Sequence, residues 1–392
     1  MPLRRYLHDD HSVDIQNHIT RLTLARFISN TALRFAIPFL GVIRRSLGVS
    51  LATMGLATSM GDFTGLLGPV VGHQLDRRSR RTTMTLTLGG VAIGAAIAAS
   101  ARSIVALSIG FVVLALSKLM FDNGMNSWIT ERTDYSNRAR VVGITETAWA
   151  GATLIGIPIL ALVAYFTSWR VGYMVLIAAL VAMSLHLRRT LPADQPTARD
   201  GAAPPLIWSL ASGAGFIGFA SIMAAGNCMF VAFGSWLKDA FGFSTLGLGA
   251  VSMLLGGAEL LASTSTVRFT DQWGKRRSVR LGAGLMIPVS LGLGIIGHVA
   301  GLGLALLVLF FLGFEFAIVS YIPLVPSLQP NNPGAAFGIA VGLGTVGRGV
   351  TAIASTRLYS SHGIGGSGLL AAACATAALA ALTLVREPSL RP

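Results

Sequence analysis

The feature that most constrains this chain is a series of apolar segments that recur from residue 19 to residue 385. Each is about 18–25 residues long, enough for a helix rising ~1.5 Å per residue to cross a ~30 Å hydrocarbon core. Twelve spans are predicted: 19–43, 51–73, 83–101, 104–127, 140–166, 169–187, 206–234, 244–267, 279–298, 301–326, 334–357 and 362–385. Stretches such as "LLGGAELLASTS" and "GGVAIGAAIAAS" are continuous apolar and small-residue runs, without the alternation of a membrane β-strand. With 53% hydrophobic residues, 12% charged residues and a mean hydropathy of +0.67, the chain is too apolar for a soluble fold. The expected fold class is an all-α membrane protein of twelve transmembrane helices.

A net charge of +14 and a pI of 11.1 would point to nucleic acid in a soluble protein, so the placement of the basic residues decides their meaning. With the N-terminus in the cytoplasm, 20 of the 30 Lys and Arg fall in cytoplasmic segments and four lie inside spans. The other side holds six: Arg44, Arg45, Arg102, Arg170, Lys238 and Arg357. This is the positive-inside bias, with both termini cytoplasmic and no nucleic-acid partner. Cys228 and Cys374 fall inside spans and are expected as apolar thiols without a disulfide. No cleavable signal is expected in the first eighteen residues, and the "HDDH" run from His8 to His11 is a poor metal site on a flexible terminus.

The polar, Pro-rich segment 188–205 divides the chain into an N-terminal six-helix bundle (1–187) and a C-terminal one (206–392). "GHQLDRRSRR" (Gly72 to Arg81) and "TDQWGKRR" (Thr270 to Arg277) each lie between the second and third helix of a half, with Asp76 and Asp271 195 residues apart. That spacing implies a tandem duplication, its parallel halves related by an axis along the membrane normal and a substrate held between them.

The first loop resembles the signature loop of the major facilitator superfamily, and the likeness extends through span number, linker and second loop copy. Residues 116–162 and 314–326 resemble more narrowly the bacterial sugar-efflux and drug-efflux-like permeases described as predicted arabinose exporters. The resemblance implies a monomer in the bacterial cytoplasmic membrane. It also implies that Gly72, Asp76, Arg77, Arg80 and Arg81 latch the halves in the outward-open state, with Asp271, Gly274, Lys275, Arg276 and Arg277 as the weaker copy. Ser79 stands where the family loop carries Gly, so the first loop is expected to turn differently. Gly151, Gly156 and Pro158 do not give the spacing of drug/proton antiporters.

Nine ionisable residues lie inside spans: Arg26, Arg34, Asp62, Lys118, Asp122, Glu146, Glu259, Glu315 and Arg348. Each costs about 2.5–3.5 kcal/mol at a helix centre, so each must face protein or water and find a partner. Arg26, Asn30 and Arg34, and likewise Lys118, Asp122 and Asn126, recur every four residues and form one polar stripe on each helix. Counted from the cytoplasmic ends, Arg26, Asp122 and Glu146 share one depth and can pair. Arg34, Asp62 and Lys118 fall near the midplane of the first half, Glu315 and Arg348 near that of the second.

A carboxylate desolvated in one state and paired in another changes its proton affinity between them, as proton coupling requires. Asp122 and Glu146 are the first candidates, Glu315 the next, and Glu259 is expected to be structural. Structural salt bridges remain the competing reading. Trp149, Trp236 and Tyr321 either touch substrate or serve as anchors and packing. Glycine pairs Gly61/Gly65, Gly68/Gly72 and Gly338/Gly342 have small-xxx-small spacing suited to close helix packing.

The leading expectation is a secondary transporter working by alternating access, exporting a sugar or drug-like solute against protons. Lipid flipping on the same fold, with Arg34 and Lys118 on the headgroup, is the alternative. No GxxxxGK[ST] phosphate loop, nucleophile motif or metal spacing occurs in the sequence, so neither ATP drive, an enzyme nor a cofactor is expected.

Overall fold

The computed structural model describes residues 12–67, 79–133, 135–192 and 206–385, with backbone only for 135–140, 142, 267, 268, 271 and 333. Every regular element among them is helical. In chain order these are α1 (Val13–Arg34), a 3-10 turn (Ile37–Phe39), α2 (Leu40–Leu47), α3 (Leu51–Phe63), α4 (Arg80–Ser100), α5 (Ile104–Glu131) and α6 (Tyr135–Gly151). A π turn (Ala152–Gly156) leads into α7 (Ile157–Phe166), followed by α8 (Trp169–Thr190), α9 (Leu210–Phe241) and α10 (Thr245–Trp273). Then come α11 (Lys275–Ile296), α12 (Ala300–Tyr321), a 3-10 segment (Ile322–Leu328) and α13 (Pro333–Leu384).

Serine starts many of these helices, because its hydroxyl satisfies a backbone N–H left open in the first turn. Ser12, Ser50, Ser79, Ser103 and Ser168 cap α1, α3, α4, α5 and α8, and Ser209 forms a reciprocal capping box with Ser212 on α9. Ser79 has φ −55° and needs no left-handed turn, whereas Gly274 at the same position before α11 has φ 86°. At this position the two copies differ in backbone conformation, and the side chain that replaces Gly is used as a cap.

Among the described residues nine helical stretches are long and apolar enough to cross a membrane. The last, 334–384, carries two predicted spans as one helix kinked at Gly363. The first two predicted spans differ from continuous helices. Span 19–43 begins earlier, at Val13, and breaks around Pro38, whose ring removes a backbone donor. Span 51–73 follows α3 and a 3-10 turn to Leu67, then passes outside the described residues.

Two compact units result. The first comprises residues 1–36, 67–200 and 245–256. Its centre holds Phe35, Phe121, Trp128 and Tyr173, all fully buried, with Phe35 edge-on to Tyr173 at 5.0 Å between centroids. α4 and α5 approach so closely that a Cβ on Gly94 would stand 2.5 Å from the Leu114 nitrogen.

The second unit comprises 37–66, 201–244 and 257–392. Phe230, Phe311 and Phe314 cluster in it, with Phe230 and Phe311 4.5 Å apart. α3 and the 3-10 turn after it pack on α13 through glycine: a Cβ on Gly55 would fall 2.0 Å from Thr356 Oγ1, and one on Gly65 2.0 Å from Thr345 Oγ1. Of the small-xxx-small pairs, Gly65 and Gly342 lie at this contact, Gly338 faces open space, and Gly68 and Gly72 are outside the described residues.

Candidate functional site

The polar stripes of α1 and α5 meet inside the first unit. Arg26 Nη1 reaches Glu146 Oε1 at 2.7 Å and donates to Thr145 Oγ1 at 3.3 Å, while its Nε lies 3.6 Å from Asp122 Oδ1. Lys118 holds the other Asp122 oxygen from the preceding turn of α5. The cations are sealed in, with side chains of Arg26 9% and Lys118 4% exposed, whereas Glu146 is 50% exposed. The cluster therefore has a dry cationic interior and one carboxylate open to the surface.

Asn30, one turn along α1, is fully buried, and neither its Nδ2 nor its Oδ1 has a hydrogen-bond partner among the described residues. Asn126 Oδ1, on the α5 stripe, is likewise without one. A further turn along α1, the Arg34 guanidinium lies 4.6 Å from the centroid of the Trp149 ring, a cation–π contact. Thr145 and Trp149 are one turn apart on α6 and meet the α1 stripe along one face.

The second unit holds the remaining intramembrane charges. Asp62 lies in the second unit, which the chain enters after the break at Pro38. There Asp62 Oδ1 pairs with Arg348 Nη2 at 3.1 Å, both side chains largely buried (14% and 20% exposed). Asn227 Nδ2 donates to the Arg348 carbonyl at 2.7 Å. Glu315 accepts from Ser263 Oγ at 2.8 Å, and Glu259 is fully buried.

Of the signature loops, Gly72, Asp76 and Arg77 lie outside the described residues, as does the Asp271 side chain. Arg80 is buried and its Nε binds Glu131 Oε1 at 2.9 Å. Arg81 and Lys275 are half-buried and Arg277 is exposed. Arg276 donates to the carbonyls of Leu382 and Thr383 at 3.0 and 2.8 Å, closing the C-terminus of α13. Among the described residues no three His, Cys, Asp or Glu are grouped to hold a metal; His8 to His11 lie outside them.

Thr145, Asn227, Ser263 and Glu131 were not singled out in the sequence. Asn227 had a signal, an amide inside the apolar run "MAAGNCMFVAFG" that must find a partner.

Among the described residues, nine helical stretches long and apolar enough to span a membrane, with ion pairs buried between helices, define the class: an all-helical protein of the membrane type. The family model described as Major Facilitator Superfamily matches residues 22–353, and the chain belongs to that family. Its members move small molecules across a lipid bilayer. The chain is 24% identical over 230 residues to the uncharacterized MFS-type transporter YceJ of Bacillus subtilis (strain 168), a match covering 57% of this chain and 58% of that protein. The fold is similar to the crystal structure of the human organic anion transporter MFSD10 (TETRAN), with TM-score 0.70 and 15% identity over 95% of this chain and 99% of that one. It is also similar to a bacterial homologue of the human lysosomal transporter Spinster in an inward-facing, unoccupied conformation, with TM-score 0.71, 14% identity and 95% of each chain covered.

Proposed function

We propose that the protein is a proton-coupled secondary transporter exporting a small organic solute, sugar or drug-like, by alternating access of halves 1–187 and 206–392. The observation that carries this is Arg26 shared between Asp122 and Glu146, with Lys118 on the far side of Asp122. When either carboxylate takes a proton, the buried cations lose part of their charge partner. A cation so released binds an anionic or hydroxyl-rich solute instead, which links proton uptake to substrate exchange. Glu146, half-exposed, is the entry point for the proton, and the buried amide of Asn30 offers a donor and an acceptor to the solute beside it.

In this reading the chain works as a monomer in the bacterial cytoplasmic membrane, termini and linker 188–205 inside, without a cofactor. Asp62 with Arg348, and Glu315, serve the second half, and the loops around Asp76 and Asp271 bias the conformational equilibrium. Purified protein in proteoliposomes, screened for solute-induced proton movement, tests the function. A sugar or drug signal supports it, and absence of proton movement with a transported solute refutes the coupling. Labelling of Ala202→Cys only from outside would refute the topology.

Lipid flipping is the second reading, favoured by one observation. The second unit has a crevice of about 460 Å³ walled mainly by Ile217, Ala224, Leu343, Val346, Ala373 and Ala377. Lipid scrambling in the same vesicles, without a solute signal, would establish it.

A further inference from the structure

A charged knot outside this cluster lies wholly in the second unit. Asp239, in the last turn of α9, accepts from Arg44 Nη2 at 2.7 Å and Arg45 Nη2 at 2.5 Å, both on α2, and from the Tyr359 hydroxyl at 3.4 Å. Both oxygens of one carboxylate are therefore held, from two other parts of the chain. One turn earlier on α9, Ser235 is fully buried against Gly41: a Cβ there would stand 3.0 Å from Ser235 Oγ. A Cβ on Gly234 would stand 2.1 Å from the Pro38 carbonyl oxygen. The helices touch backbone to backbone below the charges.

The duplication gives this knot its meaning. At this corner, α2 ends at the left-handed Gly48 and α3 starts at Leu51, while α9 ends at the left-handed Gly242 and α10 starts at Thr245. The repeat offset is thus 194 residues, and 194 is the separation of Arg45 and Asp239. Gly41 and Ser235 stand at the same offset. Two positions, one helical turn apart, each meet their own repeat-equivalent, which only residues beside the axis relating two repeats can do. Identical residues there would set like charge against like. The repeats carry Arg in one copy and Asp in the other, so the contact is attractive. Arg44 and Arg45 are also two of the six basic residues that run against the positive-inside bias, and Asp239 accounts for their place.

We propose that Arg44, Arg45, Asp239 and Tyr359 form a clasp on the duplication axis that holds the non-cytoplasmic mouth of the transport path shut, with Gly41 and Ser235 as the seal beneath it. This rests on the alternating-access reading and its topology. The strength suits a contact that must break in each cycle: the side chains of Arg44, Arg45 and Asp239 are 23%, 51% and 29% exposed, so water and salt screen the bonds.

The test uses the full chain with Cys228→Ala and Cys374→Ala, a reporter Ser235→Cys, and a membrane-impermeant maleimide added to right-side-out or inverted vesicles. Asp239→Asn is expected to raise labelling from the outer side about tenfold, a shift of ~1.4 kcal/mol in the opening equilibrium. The charge exchange Arg45→Asp with Asp239→Arg is expected to bring the rate back to within about threefold of the parent, an interaction between neighbouring sites. High salt should speed the parent and leave Asp239→Asn unchanged. Should Ser235→Cys insert poorly, Ile43→Cys, fully buried on α2, reports the same opening. An unchanged rate from both sides, or a charge exchange labelled as fast as Asp239→Asn, overturns the clasp and leaves the proton-coupling reading standing. A rise seen only in inverted vesicles overturns the clasp's placement together with the topology.

Discussion

Asp122→Asn should be the most costly neutralisation in the first unit, and the structure says why. Lys118 is 4% exposed, and Asp122 is its ion-pair partner from the next turn of the same helix. Removing that partner leaves a buried ammonium, at a cost of about 3–5 kcal/mol. The loss at Arg26 adds little, because Arg26 keeps Glu146 at 2.7 Å and Thr145 at 3.3 Å. Glu146→Gln is different: the carboxylate is half-exposed and its pair is screened, so the cost should stay below about 1 kcal/mol.

Replacing both partners, Lys118→Met with Asp122→Leu, removes the charge and its counter-charge together and should recover most of the stability. With the matching singles Lys118→Met and Asp122→Leu, the double-mutant cycle should then show a coupling of roughly 2–3 kcal/mol. Thermal unfolding of purified protein in one detergent, read by fluorescence-detected size exclusion, gives the ranking. A double variant as unstable as the sum of its singles, or Glu146→Gln as damaging as Asp122→Asn, would refute this reasoning.

Asp62→Asn should destabilise the second unit by about 3 kcal/mol, since Arg348 loses its buried partner; adding Arg348→Met should restore stability, and failure to do so in the same thermal assay argues against a paired site. Gly55→Ala should cost about 1–3 kcal/mol, because its methyl would lie 2.0 Å from Thr356 Oγ1 and 2.5 Å from the Ala352 carbonyl oxygen; Thr356→Ala should rescue it only in part, and full rescue would show that the backbone yields. Asp76→Asn should slow transport at normal membrane abundance, and wild-type turnover would reduce that loop to a topological anchor.

The apolar spans and the two polar stripes were legible because period and length are properties of the chain itself. Residues four apart share a face on any helix, so the pairing of Arg26 with Asn30 and of Lys118 with Asp122 on one face follows from spacing alone. Depth counted from the span ends was enough to bring Arg26, Asp122 and Glu146 together, because a fixed rise of ~1.5 Å per residue turns sequence distance from a span end into depth.

The partners of Asp62 and Glu315 were hidden for the opposite reason. Arg348 is 286 residues from Asp62, and nothing local indicates that the segment after Pro38 packs in the second unit with α13. Thr145 and Ser263 are polar groups common in membrane helices, distinguished only by what they touch. The Arg45–Asp239 contact was obscured by an offset of 194 at that corner, where the loop aspartates suggest 195. The Ser79 cap shows a departure from a family pattern filled by a different local solution, visible only once φ is known.

The central claim is that Asp122 and Glu146 carry the proton that drives transport. Once a solute is found, the measurement is its flux in proteoliposomes containing Asp122→Asn or Glu146→Gln, with and without a pH gradient, beside counterflow in which only solute exchanges. Counterflow per folded protein close to wild type, with gradient-driven flux lost, is the predicted result. Full gradient-driven flux in both variants would contradict it and return the cluster to holding helices together.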